Sequence, residues 1–180
     1  MKISIDVFDS KSIDKAIKQL EDYEKDLDRK AQELCKRLAD MGAVNVSLGF
    51  ARAIYDGTPD FNVEVVQLEG GKYSVKASGM TVLFQEFGTG VYHPDNHPKA
   101  AEMGMVRGSY GKGHGKQQVW GYYGDNVGDN GWLATDSKGR VREPHVVLTH
   151  GNPANMPMYN TAQDLKREIR RVAQEVFSRD

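Results

Sequence analysis

Two imidazoles four residues apart with a carboxylate between them form the cluster best placed to do chemistry: His93-Pro94-Asp95-Asn96-His97, with His114, His145 or His150 to complete a metal site. On a helix this spacing would align both rings toward zinc or manganese and suggest a metal-dependent hydrolase using His93 and His97. Pro94 and Pro98 forbid a regular helix, so the spacing loses its geometric force and the stretch reads better as a turn. Nucleophilic catalysis has less support. Cys35 sits beside Leu34 in an apolar helical stripe and reads as a small, partly buried hydrophobe, and no serine occupies a Gly-x-Ser-x-Gly elbow. Gly88-Thr89-Gly90 follows a β-like run, but neither Gly-x-Gly-x-x-Gly nor Gly-Lys-Ser/Thr opens a helix there, so a phosphate loop is not expected. Asn45-Val46-Ser47 is a formal glycosylation sequon inside an expected strand, and is read as chance. The expectation is of no enzyme, no metal and no cofactor.

A different chemistry is suggested by charge. Arg107, Lys112, His114 and Lys116 make one stretch basic, and Asp125, Asp129 and Asp136 make the next acidic. The basic half, through Lys112 and Lys116, would suit weak contact with DNA phosphates; alternatively the opposite halves would meet across copies of one chain and set their register. Across the 180 residues, 24 basic side chains face 25 acidic ones, and this neutrality favours protein contacts over bulk nucleic-acid binding. A single cysteine excludes an internal disulfide framework. Apolar runs are too short to span a bilayer and the N-terminus lacks a signal-peptide core, so neither membrane insertion nor secretion is expected.

Glycine is unevenly spread: most of the 19 glycines fall between Gly88 and Gly139, and none precedes Gly42. The glycine-free start carries Ile13, Ile17, Leu20, Leu27, Ala31, Leu34, Leu38 and Met41 in steps of three and four, broken only at Glu24. This spacing predicts a long amphipathic helix, capped by Ser10 or Ser12 and stopped by Gly42, lying across a sheet rather than in a coiled coil. Alternation at Val44, Val46, Leu48 and Phe50 predicts a strand. Phe61 to Leu68 and Lys72 to Ala77 predict a hairpin turning at Glu69-Gly70-Gly71, and Thr81 to Phe87, apolar on both faces, predicts a central strand.

Residues 88–139 show no sustained period and read as a long loop insertion, yet Tyr92, Tyr110, Trp120, Tyr122, Tyr123 and Trp132 argue that it packs against something. Asp136-Ser137-Lys138-Gly139 reads as a turn, Val146 to Leu148 as a short edge strand, and Ala162, Leu165, Ile169, Val172 and Val176 as a closing helix. The expected fold is a single α+β domain: one antiparallel sheet of about four to five strands packed by a long N-terminal and a C-terminal helix.

Val82-Leu83-Phe84-Gln85-Glu86-Phe87-Gly88-Thr89-Gly90-Val91, followed after the insertion by Gly151-Asn152-Pro153-Ala154-Asn155-Met156-Pro157-Met158-Tyr159 and a last helix, resembles the tail-completion, or neck, family of long-tailed bacteriophages. The likeness covers nearly the whole chain, although Met156-Pro157-Met158-Tyr159 stands where the family often continues with a Phe-Leu-Arg-like stretch. The resemblance implies a structural virion protein at the neck, assembled in the host cytoplasm, joining the tail to the head connector. Its implied partners are itself, as a homo-oligomeric ring, and the connector and tail tube or terminator proteins. The residues expected to make these contacts are Phe87, Gly88, Thr89, Gly90, Pro153, Pro157 and Met158 of the two segments. Tyr110, Lys112, Lys116, Trp120, Tyr122 and Tyr123 of the insertion join them. In this reading Phe87 anchors in the core, while Gly88 and Gly90 let the chain leave sharply, with Thr89 accessible and the loop launched onto a neighbour.

Overall fold

A computed structural model describes residues 3–6, 8–90, 96–111, 117–128 and 130–178. Among these the architecture is α+β, but the sheet is divided in two. The first helix, α1, runs from Ser10 to Ala51. Asp9 caps it, its carboxylate accepting from Lys11 N at 3.0 Å, while Ser12 Oγ reaches back to accept from Asp6 N at 2.9 Å. The cap is therefore Asp9, not either serine.

Gly42 does not stop α1, and the predicted strand at 44–50 is its last two turns. The alternating apolar residues there contain a helical subset: Val46 and Phe50, four apart, are buried, while Val44 and Leu48 face out. Gly42 and Gly49 lie where α1 meets the C-terminal helix α3, Pro157–Phe177. A Cβ on Gly42 would stand 3.1 Å from Leu165 Cδ1, and one on Gly49 only 2.7 Å from Pro157 Cβ. The helices are thus antiparallel, and the missing side chains let their axes approach. Helix continuation through glycine costs about 1 kcal/mol per residue, which close packing offsets.

Strands β1, Asn62–Gln67, and β2, Tyr73–Ser78, form the expected hairpin, paired antiparallel with Val65 opposite Val75. Gly70 and Gly71 take φ of 69° and 70° in its 3-10 turn. This hairpin lies against the C-terminal half of α1, where Val46, Phe50 and Val82 form a core with Phe61, Val63, Val75, Ala77 and Met158 around them. Phe50 stacks on Phe61 at 5.3 Å, and its burial alone contributes about 2–3 kcal/mol.

The segment read as a central strand is a short helix, α2, Val82–Phe87. Its buried residues Val82, Gln85, Glu86 and Phe87 have helical spacing, whereas Leu83 is exposed, which explains how apolar residues on both strand faces misled the periodicity. Part of the glycine-rich insertion is ordered into β3, Trp120–Tyr123, and β4, Gly131–Leu133. Both pair antiparallel with β5, Val146–Thr149, in the order β3-β5-β4. The stretch expected at an edge is the centre of a second sheet, and Val147 is fully buried there. The turn at Asp136 forms as expected, with its carboxylate accepting from Lys138 N and Arg140 N at 2.8 and 3.0 Å. Cys35 is exposed, not partly buried.

Candidate functional site

The two segments that carry the family resemblance meet. Thr81 immediately precedes the first: its hydroxyl donates to Asp60 O and accepts from Gln85 Nε2, each at 2.8 Å, fixing α2 to the start of β1. At the other end of α2, Gly88 has φ 80° and turns the backbone against the second segment. Thr89 N donates to Asn152 O at 2.8 Å and Asn152 N returns a bond to Thr89 Oγ1 at 3.0 Å. Asn155 N donates to Gln85 O at 2.9 Å. Short, reciprocal bonds between irregular stretches satisfy backbone groups that neither could satisfy alone once buried.

Glu86 is the centre of this joint. Its carboxylate accepts from Met158 N at 2.8 Å and Tyr159 N at 3.0 Å, so it caps the first turn of α3 from a distant part of the chain. A negative charge at a helix N-terminus is favoured by the free N–H groups and the dipole there. His97 Nε2 lies 3.1 Å from the same carboxylate, and its ring packs 4.4 Å from Phe87 and 5.4 Å from Tyr159. Tyr110 closes the cluster by donating to Gly88 O at 2.7 Å, and burial pushes its phenol well above the usual tyrosine range.

A second buried carboxylate ties this joint to the β3-β5-β4 sheet. Asp56 follows α1 and is almost fully buried; it accepts from Thr149 Oγ1 and from Asn130 N at 3.3 Å, while its own N–H donates to Asn152 Oδ1 at 2.9 Å. Asn155 clasps the same linker, accepting from Ile54 N at 2.8 Å and donating to Ile54 O at 2.9 Å. Burial, then the Asp56 charge, pushes Tyr122 up to about 12. Its hydroxyl donates to Asn126 O at 2.6 Å.

The expected contact residues divide accordingly. Phe87, Gly88, Thr89 and Pro157 are buried within the chain, and Gly90, Pro153, Met158, Tyr110, Trp120 and Tyr122 are half-buried. Tyr123 is exposed; Lys112 and Lys116 lie outside the described residues. Phe87 anchors in the interior as expected. Thr89 is not accessible, however, because its hydroxyl and amide are both used on Asn152. Gly88 and Gly90 lie against the chain's own backbone, and the loop that follows Gly90 begins outside the described residues. A Cβ on Gly90 would fall 2.2 Å from His150 O, so the glycines permit a close approach inside the molecule.

Of the histidines, His93 and His114 lie outside the described residues. His97 is held by Glu86, and His150 Nδ1 lies 3.3 Å from Gln118 O with its ring 5.0 Å from Trp132. His145 contacts Asp125 and, at 2.9 Å, Glu143; the Asp125 bond, then the Glu143 charge, raise its pKa. Among the described residues no group of three or more histidine, cysteine or carboxylate side chains converges to hold a metal ion.

The residues that sequence reasoning gave no role, Asp56, Glu86, Asn152 and Asn155, are the ones that hold the joint. One signal was present: a glutamate inside Leu83-Phe84-Gln85-Glu86-Phe87 must either leave an apolar run or find donors within it. Compared with family models, curated proteins and solved structures, the chain matches none. Among the described residues no helix is long and apolar enough to cross a membrane.

Proposed function

We propose that this chain is a structural virion protein of the neck, or tail-completion, type, joining a phage tail to the head connector through a homo-oligomeric ring and contacts with its neighbours. The observation that supports this reading is the joint itself. The segments 82–90 and 151–159, which carry the resemblance, interlock through Glu86, Thr89, Asn152 and Asn155, so the likeness in sequence has a common structural task. The Glu86 and Asp56 carboxylates and the Thr89–Asn152 bonds hold distant backbone segments together, while the buried Gln85 Oε1 and Asn152 Nδ2 have no hydrogen-bond partner among the described residues. The surfaces left over are those of a part that touches other proteins: Tyr123 and Trp132 on the second sheet, and the exposed apolar residues Ile13, Ile17, Leu20 and Leu27 of α1. The hydrolase reading is weakened because His97 is buried against Glu86, and a metal there would have to displace the cap of α3.

In a phage genome carrying this gene, a nonsense mutation should give filled heads and separate tails, restored to joined particles by the wild-type protein. The protein should be found in purified virions at the copy number of a ring. Particles that lack it yet retain attached tails would overturn the reading.

A further inference from the structure

We propose that the N-terminal arm of α1 docks on the exposed flank of α3 in a second copy of this chain, making a head-to-tail contact. The proposal takes from the function above only the expectation of self-assembly. The hairpin tip touches α1 at Gln32, where a Cβ on Gly71 would stand 2.6 Å from Gln32 Cγ. Before Ala39, only Ala16 of α1 is buried. Ahead of this point Ile13, Ile17, Leu20 and Leu27, on one face of the helix, are 39%, 50%, 53% and 43% exposed. A helical stripe of this kind normally covers a core.

Charge selects the occupant. Asp14, Glu21 and Asp28, seven residues apart, run along one flank of the stripe, with Glu24 inside it. None of the four makes an ion pair among the described residues, although Lys18 and Lys25 stand one turn away from Asp14 and Glu21. Of the other acids on the helix, Asp26, Glu33 and Asp40 are paired, whereas Asp22, outside the stripe, makes no ion pair among the described residues. Two arms would not suit each other. Paired parallel, Glu24 would face its own copy in the seam; paired antiparallel, the acidic flanks would meet.

The complementary surface is on α3. Flanking its buried Val172 and Val176, Ile169 is 47% and Phe177 40% exposed, and Ala162 is exposed two turns ahead of Ile169. Lys166 and Arg170 border this strip and have no ion pair among the described residues, whereas Arg167 and Arg171 are held by Asp164, Glu168 and Glu175. The free arm and α3 are each about 30 Å long at the rise of an α-helix. Because arm and strip are different surfaces, the contact repeats from copy to copy and closes as a ring or continues as a filament.

The test uses the full chain and measures oligomer mass in solution, with circular dichroism to establish that each variant folds. Glu21→Lys with Asp28→Lys should weaken self-association about tenfold or more, and so should Lys166→Glu with Arg170→Glu. Combining all four should restore the oligomer. A Leu20→Cys, Ile169→Cys pair in a Cys35→Ser background should form a disulfide between subunits. Oligomers untouched by either charge reversal, with no cross-link, would overturn this contact while leaving the ring reading standing. A wild-type chain that stays monomeric at every concentration would overturn both.

Discussion

Glu86 and Met158, 72 residues apart in sequence, are joined by a 2.8 Å bond from the Met158 amide to the Glu86 carboxylate, and through it α3 starts where α2 allows. Two amides of α3 and the His97 ring share this one buried acid. The start of a helix and the end of a loop motif therefore depend on the same side chain.

Replacing Glu86 with alanine should destabilise the fold by about 3–4 kcal/mol, because it strands two helix N–H groups and a buried imidazole together. Urea unfolding of the purified chain measures this. Glu86→Gln, which keeps an acceptor oxygen, should lose less; equal midpoints for Glu86→Ala and wild type would show that the carboxylate caps nothing.

The glycines of the joint should matter to the monomer. Gly88→Val and Gly90→Val put a Cβ 2.7 Å from Ala154 N and 2.2 Å from His150 O, at backbone φ of 80° and 63°. Both should lower the melting temperature sharply or abolish soluble expression. Gly104→Ala, at φ 70° with nothing within 4 Å, should cost only the local backbone penalty of about 1–2 kcal/mol. If the three variants melt alike, packing at the joint is not what the glycines serve.

Gly49→Leu should separate α1 from α3, since even a Cβ would stand 2.7 Å from Pro157 Cβ and 3.2 Å from its Cα. Overpacking of this kind costs about 1–3 kcal/mol. Thermal melting beside an exposed control, Val44→Leu on the same helix, checks it; a variant as stable as the control would mean that the crossing is looser than described.

His145 supplies a pH dependence of known sign. Its folded pKa is raised by the bond with Asp125 and then the Glu143 charge, so the stabilisation is fully present below the unfolded histidine value and is lost as pH rises through the folded one. Imidazole proton shifts in an NMR titration should place His145 above the ordinary histidine value, and Asp125→Asn should bring it down. A titration midpoint unmoved by that substitution would remove Asp125 as the cause.

Local sequence determined what local physics can decide. The long N-terminal helix, the β1-β2 hairpin with its Gly70-Gly71 turn, the Asp136 turn and the last helix were all legible, because each rests on a period or a turn residue within one short window. Tertiary structure decided the rest. Val44 to Phe50 alternate like a strand but continue a helix, because Gly42 and Gly49 earn their place only when α3 crosses them. Thr81 to Phe87 look like a two-faced strand but form a helical turn, because Asp60 holds one end and Asn155 the other. Val146 to Thr149 became central only when two pieces of the glycine-rich insertion paired on both its sides. The roles of Asp56 and Glu86 lay beyond any window, since a buried carboxylate is stable only beside its donors, and those donors come from chain far away in sequence.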